Sequence, residues 1–214
     1  MKSIRIGGTL LLALLAACHP SSPEQPQAKS VAAAPAAATA KTSPPLVAAA
    51  RRQVGITRLY DPAYFELAYP GGDVPAERGV CTDVVVRALR SQGVDLQKVI
   101  HEDMHAHFAD YPQNWGLNGP NPHIDHRRVP NQMRWFEREG WSRPITADAR
   151  SYAGGDIVSW KLAGSGLLHI GIVSDRRTRD GTPLIIHNIG SGTQEEDILF
   201  RHTVIGHYRP VLAL

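Results

Sequence analysis

The residues best suited to chemistry in this 214-residue chain are one thiol and two imidazoles. Cys81 stands in Gly79-Val80-Cys81-Thr82-Asp83-Val84-Val85-Val86-Arg87-Ala88-Leu89, just ahead of an apolar run with helical spacing. Val84, Val85, Ala88 and Leu89 share one face of that helix, and Gly93 supplies its stop. Thr82 and Asp83 fall where helix starts favour oxygen-bearing side chains. A cysteine at such a start meets unpaired N–H groups and the positive end of the helix dipole, which favours thiolate. A thiol nucleophile also needs a base, and the base needs a third group to hold its tautomer. His169, in Leu168-His169-Ile170-Gly171-Ile172, and His187, in Ile186-His187-Asn188, each sit inside a short β-branched run. Asp180-Gly181 is a hairpin signal between those runs, and pairing through it brings both rings to one edge of a sheet.

The elements that must position these groups can be read from periodicity. A short amphipathic helix is expected over 46–54, then an irregular stretch over 56–80, then the Cys81 helix. Asp95 caps a further helix to about Ala109, with Leu96, Val99, Ile100, Met104 and Phe108 on one stripe. Residues 112–130 read as a long loop, and loops this long inside a domain are usually functional. Within it Asp125, His126, Arg127 and Arg128 are candidates for gripping a charged substrate, because arginine binds carboxylates bidentately. The alternative is a loop held by its own ion pairs. A helix from Pro130 or Asn131 to Glu139 follows, and then the period changes. Strands are expected over 156–160, 168–174 and 184–189, near 196–200 and over 204–211. Helices followed by an antiparallel sheet make an α+β domain.

The net charge of +3 is dispersed, with no Lys/Arg cluster among aromatics, so nucleic acid is not an expected partner. The chain opens with a basic start and an apolar run from Thr9 to Ala17, too short to span a bilayer. Leu15-Ala16-Ala17-Cys18 resembles the bacterial lipobox, which implies a signal peptide over 1–17 and lipid on Cys18. His19 at the next position, by the same resemblance, points to the outer membrane facing the periplasm. Residues 18–45 read as an Ala/Pro/Ser tether, and 46–214 as one domain. With Cys18 lipidated, Cys81 has no disulfide partner.

The order of motifs resembles the NlpC/P60 group of papain-like cysteine peptidases and amidases. Its carriers are the helix-start Cys81, then Gly155-Asp156-Ile157-Val158-Ser159-Trp160, His169-Ile170-Gly171-Ile172-Val173 and Ile186-His187, over roughly 65–190. The resemblance implies a papain-like domain, its cysteine helix packed on the sheet, with Cys81 as nucleophile, His169 as base and His187 as orienting group. It also implies that Tyr69, ahead of Gly71-Gly72, lies in the oxyanion region, and it makes Asp83 and Asn188 substrate-side candidates. The family's Asp-Cys-Ser-Gly is here Val80-Cys81-Thr82-Asp83, and residues 94–150 form a longer insert than is typical. Nearly the whole domain also resembles the domain-of-unknown-function family 1287, through Tyr69-Pro70-Gly71-Gly72-Asp73, Gly79-Val80-Cys81-Thr82-Asp83 and Ile124-Asp125-His126-Arg127-Arg128-Val129-Pro130-Asn131.

The expected activity is hydrolysis of an amide bond by a Cys-His-His triad, without cofactor or metal. Peptidoglycan stem peptides are the expected substrate, and the membrane is reached through lipid on Cys18. Two rivals remain. One is a non-catalytic lipoprotein that binds the cell wall or a partner. The other is a zinc hydrolase built on His101-Glu102-Asp103-Met104-His105, which fits H-E-x-x-H but has a charged Asp103 in its spacer and no third ligand at a recognisable distance.

Overall fold

The computed structural model describes residues 42–212. The expected signal peptide, the lipidation site Cys18 and all but the last few tether residues lie outside that range. Helix α1 spans Pro45–Arg51, and two two-residue strands, β1 (Leu59–Tyr60) and β2 (Arg78–Gly79), pair in parallel within the stretch expected to be irregular. Helix α2 is Cys81–Arg90, α3 is Leu96–His107 and α4 is Val129–Arg138. Five strands follow: β3 (Ile157–Lys161), β4 (Leu168–Arg177), β5 (Pro183–Asn188), β6 (Thr193–Glu196) and β7 (Thr203–Tyr208). They form one antiparallel sheet in the order β6-β5-β4-β3-β7. Helices first and an antiparallel sheet after them is the α+β arrangement expected.

Period-2 alternation divides the sheet into two buried faces. Ile157, Ile170, Ile172 and Ile186 join α2 in the main core, together with α1 and the aromatic group Trp135, Phe136 and Trp141. Val158, Trp160, Val173 and Ile185 point the other way, into a smaller core closed by Tyr152, Ile198 and Leu199. Helix α2 is buried on nearly every side, with Val84, Val85, Val86, Ala88 and Leu89 all sealed. That is more than a single apolar face: α1 and the sheet both pack on α2, and α3 also touches it. Removing the Leu89 side chain to Ala would cost about 2–5 kcal/mol.

The expected strand near 196–200 is displaced to Thr193–Glu196. Ile198 and Leu199 are both needed in the smaller core. Consecutive residues of a strand face opposite sides, so the chain turns there. Gly192 makes the preceding bend at φ +82, where a Cβ would sit 2.3 Å from the Thr57 carbonyl.

Candidate functional site

Three contacts fix the turn that delivers Cys81 to the start of α2. Asp83, in the first turn, accepts the Val80 N–H at 2.7 Å, which satisfies one of the donors a helix start leaves open. Arg127 forks onto the same carboxylate at 2.9 and 3.0 Å and also donates to the Ala63 and Asp61 carbonyls. Asn188, at the end of β5, donates to the Gly79 carbonyl at 3.0 Å. Gly79 itself is at φ +157, and a Cβ there would meet Asp83 Oδ2 at 2.9 Å. Asp83, Arg127 and Asn188 were expected on the substrate side. All three are buried and bonded to one another or to backbone; Asp83 and Asn188 hold the site, while Arg127 both braces it and lines the cavity beside Cys81.

The Cys81 thiol is 5% exposed. Backbone N–H groups of Ile170, Thr82 and Cys81 itself draw its pKa down, but burial outweighs them and the thiol is pushed up to about 12. This reverses the lowered value expected from the helix start alone, because the dipole argument holds for a solvated thiol. Beside the sulfur lies a cavity of about 190 Å³, walled by Tyr60, Pro62, Val80, Ile124, Val129 and Leu168. Tyr60 takes the place expected for Tyr69, and its own pKa is raised by burial and by the neighbouring thiol. Tyr69 instead packs edge-on against His101 of α3 at 5.0 Å. The Gly71 and Gly72 N–H groups cap the start of α3, bonding Asp95 and Gln97 at 2.8 and 2.9 Å, and this draws the Tyr-Gly-Gly turn away from the thiol.

His169 on β4 and His187 on β5 do come together, with His169 Nε2 2.9 Å from His187 Nδ1. The β4–β5 register, Ile172 opposite Ile186, continues to Gly171 opposite His187, so the two histidines are diagonal neighbours on one face. Gly171 makes this possible: a Cβ there would lie 3.0 Å from the His187 Cβ and 2.7 Å from Ile185. Trp160, directly across from His169 on β3, packs by its ring at 5.9 Å. Burial holds His169 down at about 3. His187 is lowered by burial as well, against an opposing pull from Glu196, whose carboxylate is 3.0 Å from His187 Nε2 but off its N–H axis.

Both rings belong to the alternate positions of β4 and β5, whereas Cys81 packs with Ile170, Ile172 and Ile186. The thiol therefore meets β4 at the Ile170 N–H, one residue from His169. Among the described residues no hydrogen bond joins sulfur to imidazole. His169 Nδ1 also has no partner there, its Nε2 being taken by His187. Burial disfavours the charged form of both the thiol and the imidazole.

Glu196 was missed by sequence reasoning. It lies two residues beyond Gln194, the cross-strand neighbour of His187, so correct placement of β6 would have put it on the same face. The 112–130 loop groups resolve as internal ties. Asp125 accepts from Arg128 at 2.8 Å, Arg128 lies 3.9 Å over the Trp115 ring, and His126 is buried with its pKa lowered to about 3. On α3, His101 and His105 approach to 3.2 Å, but Asp103 is taken by Arg138 and Tyr111 and Glu102 reaches toward Lys98. Among the described residues no three His, Cys, Asp or Glu side chains gather in metal-binding geometry. The Gly155-Asp156 motif is a clasp: Asp156 receives Arg209 at 2.7 Å through two nitrogens and His207 at 2.8 Å, tying the start of β3 to the end of β7.

Residues 47–210 match the family described as Domain of unknown function (DUF1287). "Uncharacterized protein YijF" of Escherichia coli (strain K12) is 60% identical over 170 residues, which is 79% of this chain and 82% of that protein. No solved structure matches.

Proposed function

We propose, from the premise that this chain belongs to the DUF1287 family, that it is a papain-like thiol hydrolase of the NlpC/P60 kind that cuts an amide bond. The observation that carries this reading is the buried histidine pair standing one residue from the point where the helix-start thiol meets β4. In the proposed reaction a substrate carbonyl enters the cavity beside Cys81. Thiol and imidazole start on opposite faces of the sheet, so the proposed step requires the first residues of β4 to shift until His169 Nδ1 can take the thiol proton as the S–C bond forms. Backbone N–H groups at the start of α2, with the Tyr60 hydroxyl at the cavity wall, are the donors available to the oxyanion. His169 returns the proton to the leaving amine as the C–N bond breaks. Water, deprotonated by the same imidazole, then releases the acyl group as a carboxylic acid and restores the thiol.

The proposed substrate is a peptidoglycan stem peptide, and the proposed location is the bacterial envelope, with the domain tethered through lipid on Cys18. The support for both is the lipobox-like Leu15-Ala16-Ala17-Cys18 and the tether composition. Purified sacculi incubated with the protein and read by product mass test this directly. New termini that disappear with Cys81→Ala are the expected result; intact muropeptides with the native protein would remove the substrate assignment. A second reading, a non-catalytic wall- or partner-binding lipoprotein, draws on the burial of the thiol. Alkylation of Cys81 by iodoacetamide that is slow and indifferent to His169→Ala would favour it.

A further inference from the structure

We propose that Glu196 is a positioning residue that sets which nitrogen carries the proton on both buried histidines and connects them to solvent. The inference rests on the hydrolase reading for its consequence but not for its geometry. His187 is fully sealed and His169 is 2% exposed, whereas the Glu196 side chain is 45% exposed at the edge strand β6. The Glu196 carboxylate lies 3.0 Å from His187 Nε2, off the ring N–H axis, and its negative charge there favours the proton on that nitrogen over Nδ1. His187 Nδ1 is then a lone pair, and at 2.9 Å it can only accept from His169 Nε2–H. His169 Nδ1 is then left as a lone pair, with no hydrogen-bond partner among the described residues. One exposed carboxylate thus specifies a base at the far end of two buried rings.

The same chain gives a charge somewhere to go. When His169 Nδ1 gains a proton, Nε2–H strengthens its bond to His187, whose Nε2 lies 3.0 Å from the carboxylate, so positive charge is stabilised by a group in water. The other charged or titratable groups near these rings are His202 for both and Arg201 for His187, all supplied by the turn before β7. All of them disfavour charge on the rings; at His187 Glu196 opposes them.

Long-range ¹⁵N–¹H spectra of histidine-labelled protein read the tautomer of each ring, with His169→Gln and His187→Gln giving assignments. The native protein is expected to carry Nε2–H on both. Glu196→Ala should populate the reversed pair, with protons on both Nδ1 atoms. Glu196→Gln should keep the native tautomers through its carbonyl oxygen while the charge is lost. Iodoacetamide labelling of Cys81 should slow about 10- to 100-fold in Glu196→Ala, the same order as losing the carboxylate behind a metal-bound imidazole. Its acid limb should move to lower pH in both variants, while the thermal midpoint stays put. Unchanged tautomers together with an unmoved acid limb in Glu196→Ala would overturn the proposal. If labelling ignores His169→Ala, the hydrolase reading fails, and the spectra still decide the role of Glu196.

Discussion

His207 lies 2.8 Å from Asp156, and His187 lies 3.0 Å from Glu196. Both are histidine–carboxylate pairs of one sheet, yet they are built for different ends. Asp156 is 1% exposed, receives Arg209 as well and takes the Ala153 N–H, while His207 spends its other nitrogen on the Pro144 carbonyl. Every group is occupied, and Tyr152 stacks on the ring at 4.3 Å. At His187 the carboxylate is half in water, the second ring leads on to His169, and the line ends on an unoccupied nitrogen. A closed pair serves the fold. An open one costs burial without being finished, and in the proposed hydrolase that unoccupied nitrogen is kept for a reaction partner.

The largest expected difference between the two lies in reactivity. His169→Ala should slow iodoacetamide labelling of Cys81 by about 10²- to 10⁴-fold, the usual worth of a general base, whereas His207→Ala should leave labelling per folded molecule alone. Equal slowing in both variants would erase the contrast.

Next comes stability. Asp156→Ala frees the half-exposed Arg209 to water and leaves buried His207 unpaired, and should cost about 1–3 kcal/mol in denaturant unfolding. A loss under about 1 kcal/mol would show that the clasp contributes little.

A third prediction concerns acid. His169 and His126 are each held at about 3 in the folded protein, below the usual value near 6.5. Their folded pKa values are depressed, so the unfolded chain binds protons first as pH falls. Stability is full above about 6.5 and drops by about 1.4 kcal/mol per pH unit for each histidine down toward pH 3. Asp156, lowered by Arg209 and His207 against the effect of burial, adds a further loss below the ordinary carboxylate range. Urea unfolding across pH 3–7 checks this, and a slope that His126→Phe fails to flatten would rule out that histidine's part.

The smallest effect is expected at Glu196 itself. Glu196→Gln should change folding free energy by no more than about 0.5 kcal/mol, because the side chain is half exposed.

Much of this contrast was readable in advance, and the unread part has a common cause. The helix start at Cys81, the strands bearing His169 and His187, and the hairpin between them follow from local periodicity and turn chemistry. So did the alternative that Asp125 and Arg128 tie their own loop. What local reading missed were pairings across distance. Arg127 reaches Asp83 from 44 residues away and turns two substrate candidates into a brace. Tyr69 follows its glycines to α3, while Tyr60, held by the two-residue pairing of β1 with β2, reaches the thiol. Glu196 escaped because the apolar pair Ile198-Leu199 looked like the body of a strand when it is the turn after one.

The sealed thiol has a consequence for how long the protein lasts. At neutral pH burial holds the sulfur overwhelmingly in its thiol form. Peroxide, glutathione disulfide and stray cystines all require thiolate, so they find almost nothing to attack. A solitary cysteine exposed to oxidants for the lifetime of the protein ordinarily ends as sulfenate or a mixed disulfide. Here the same burial that delays deprotonation acts as a preservative, and Cys81 should persist reduced through exposures that consume a surface thiol.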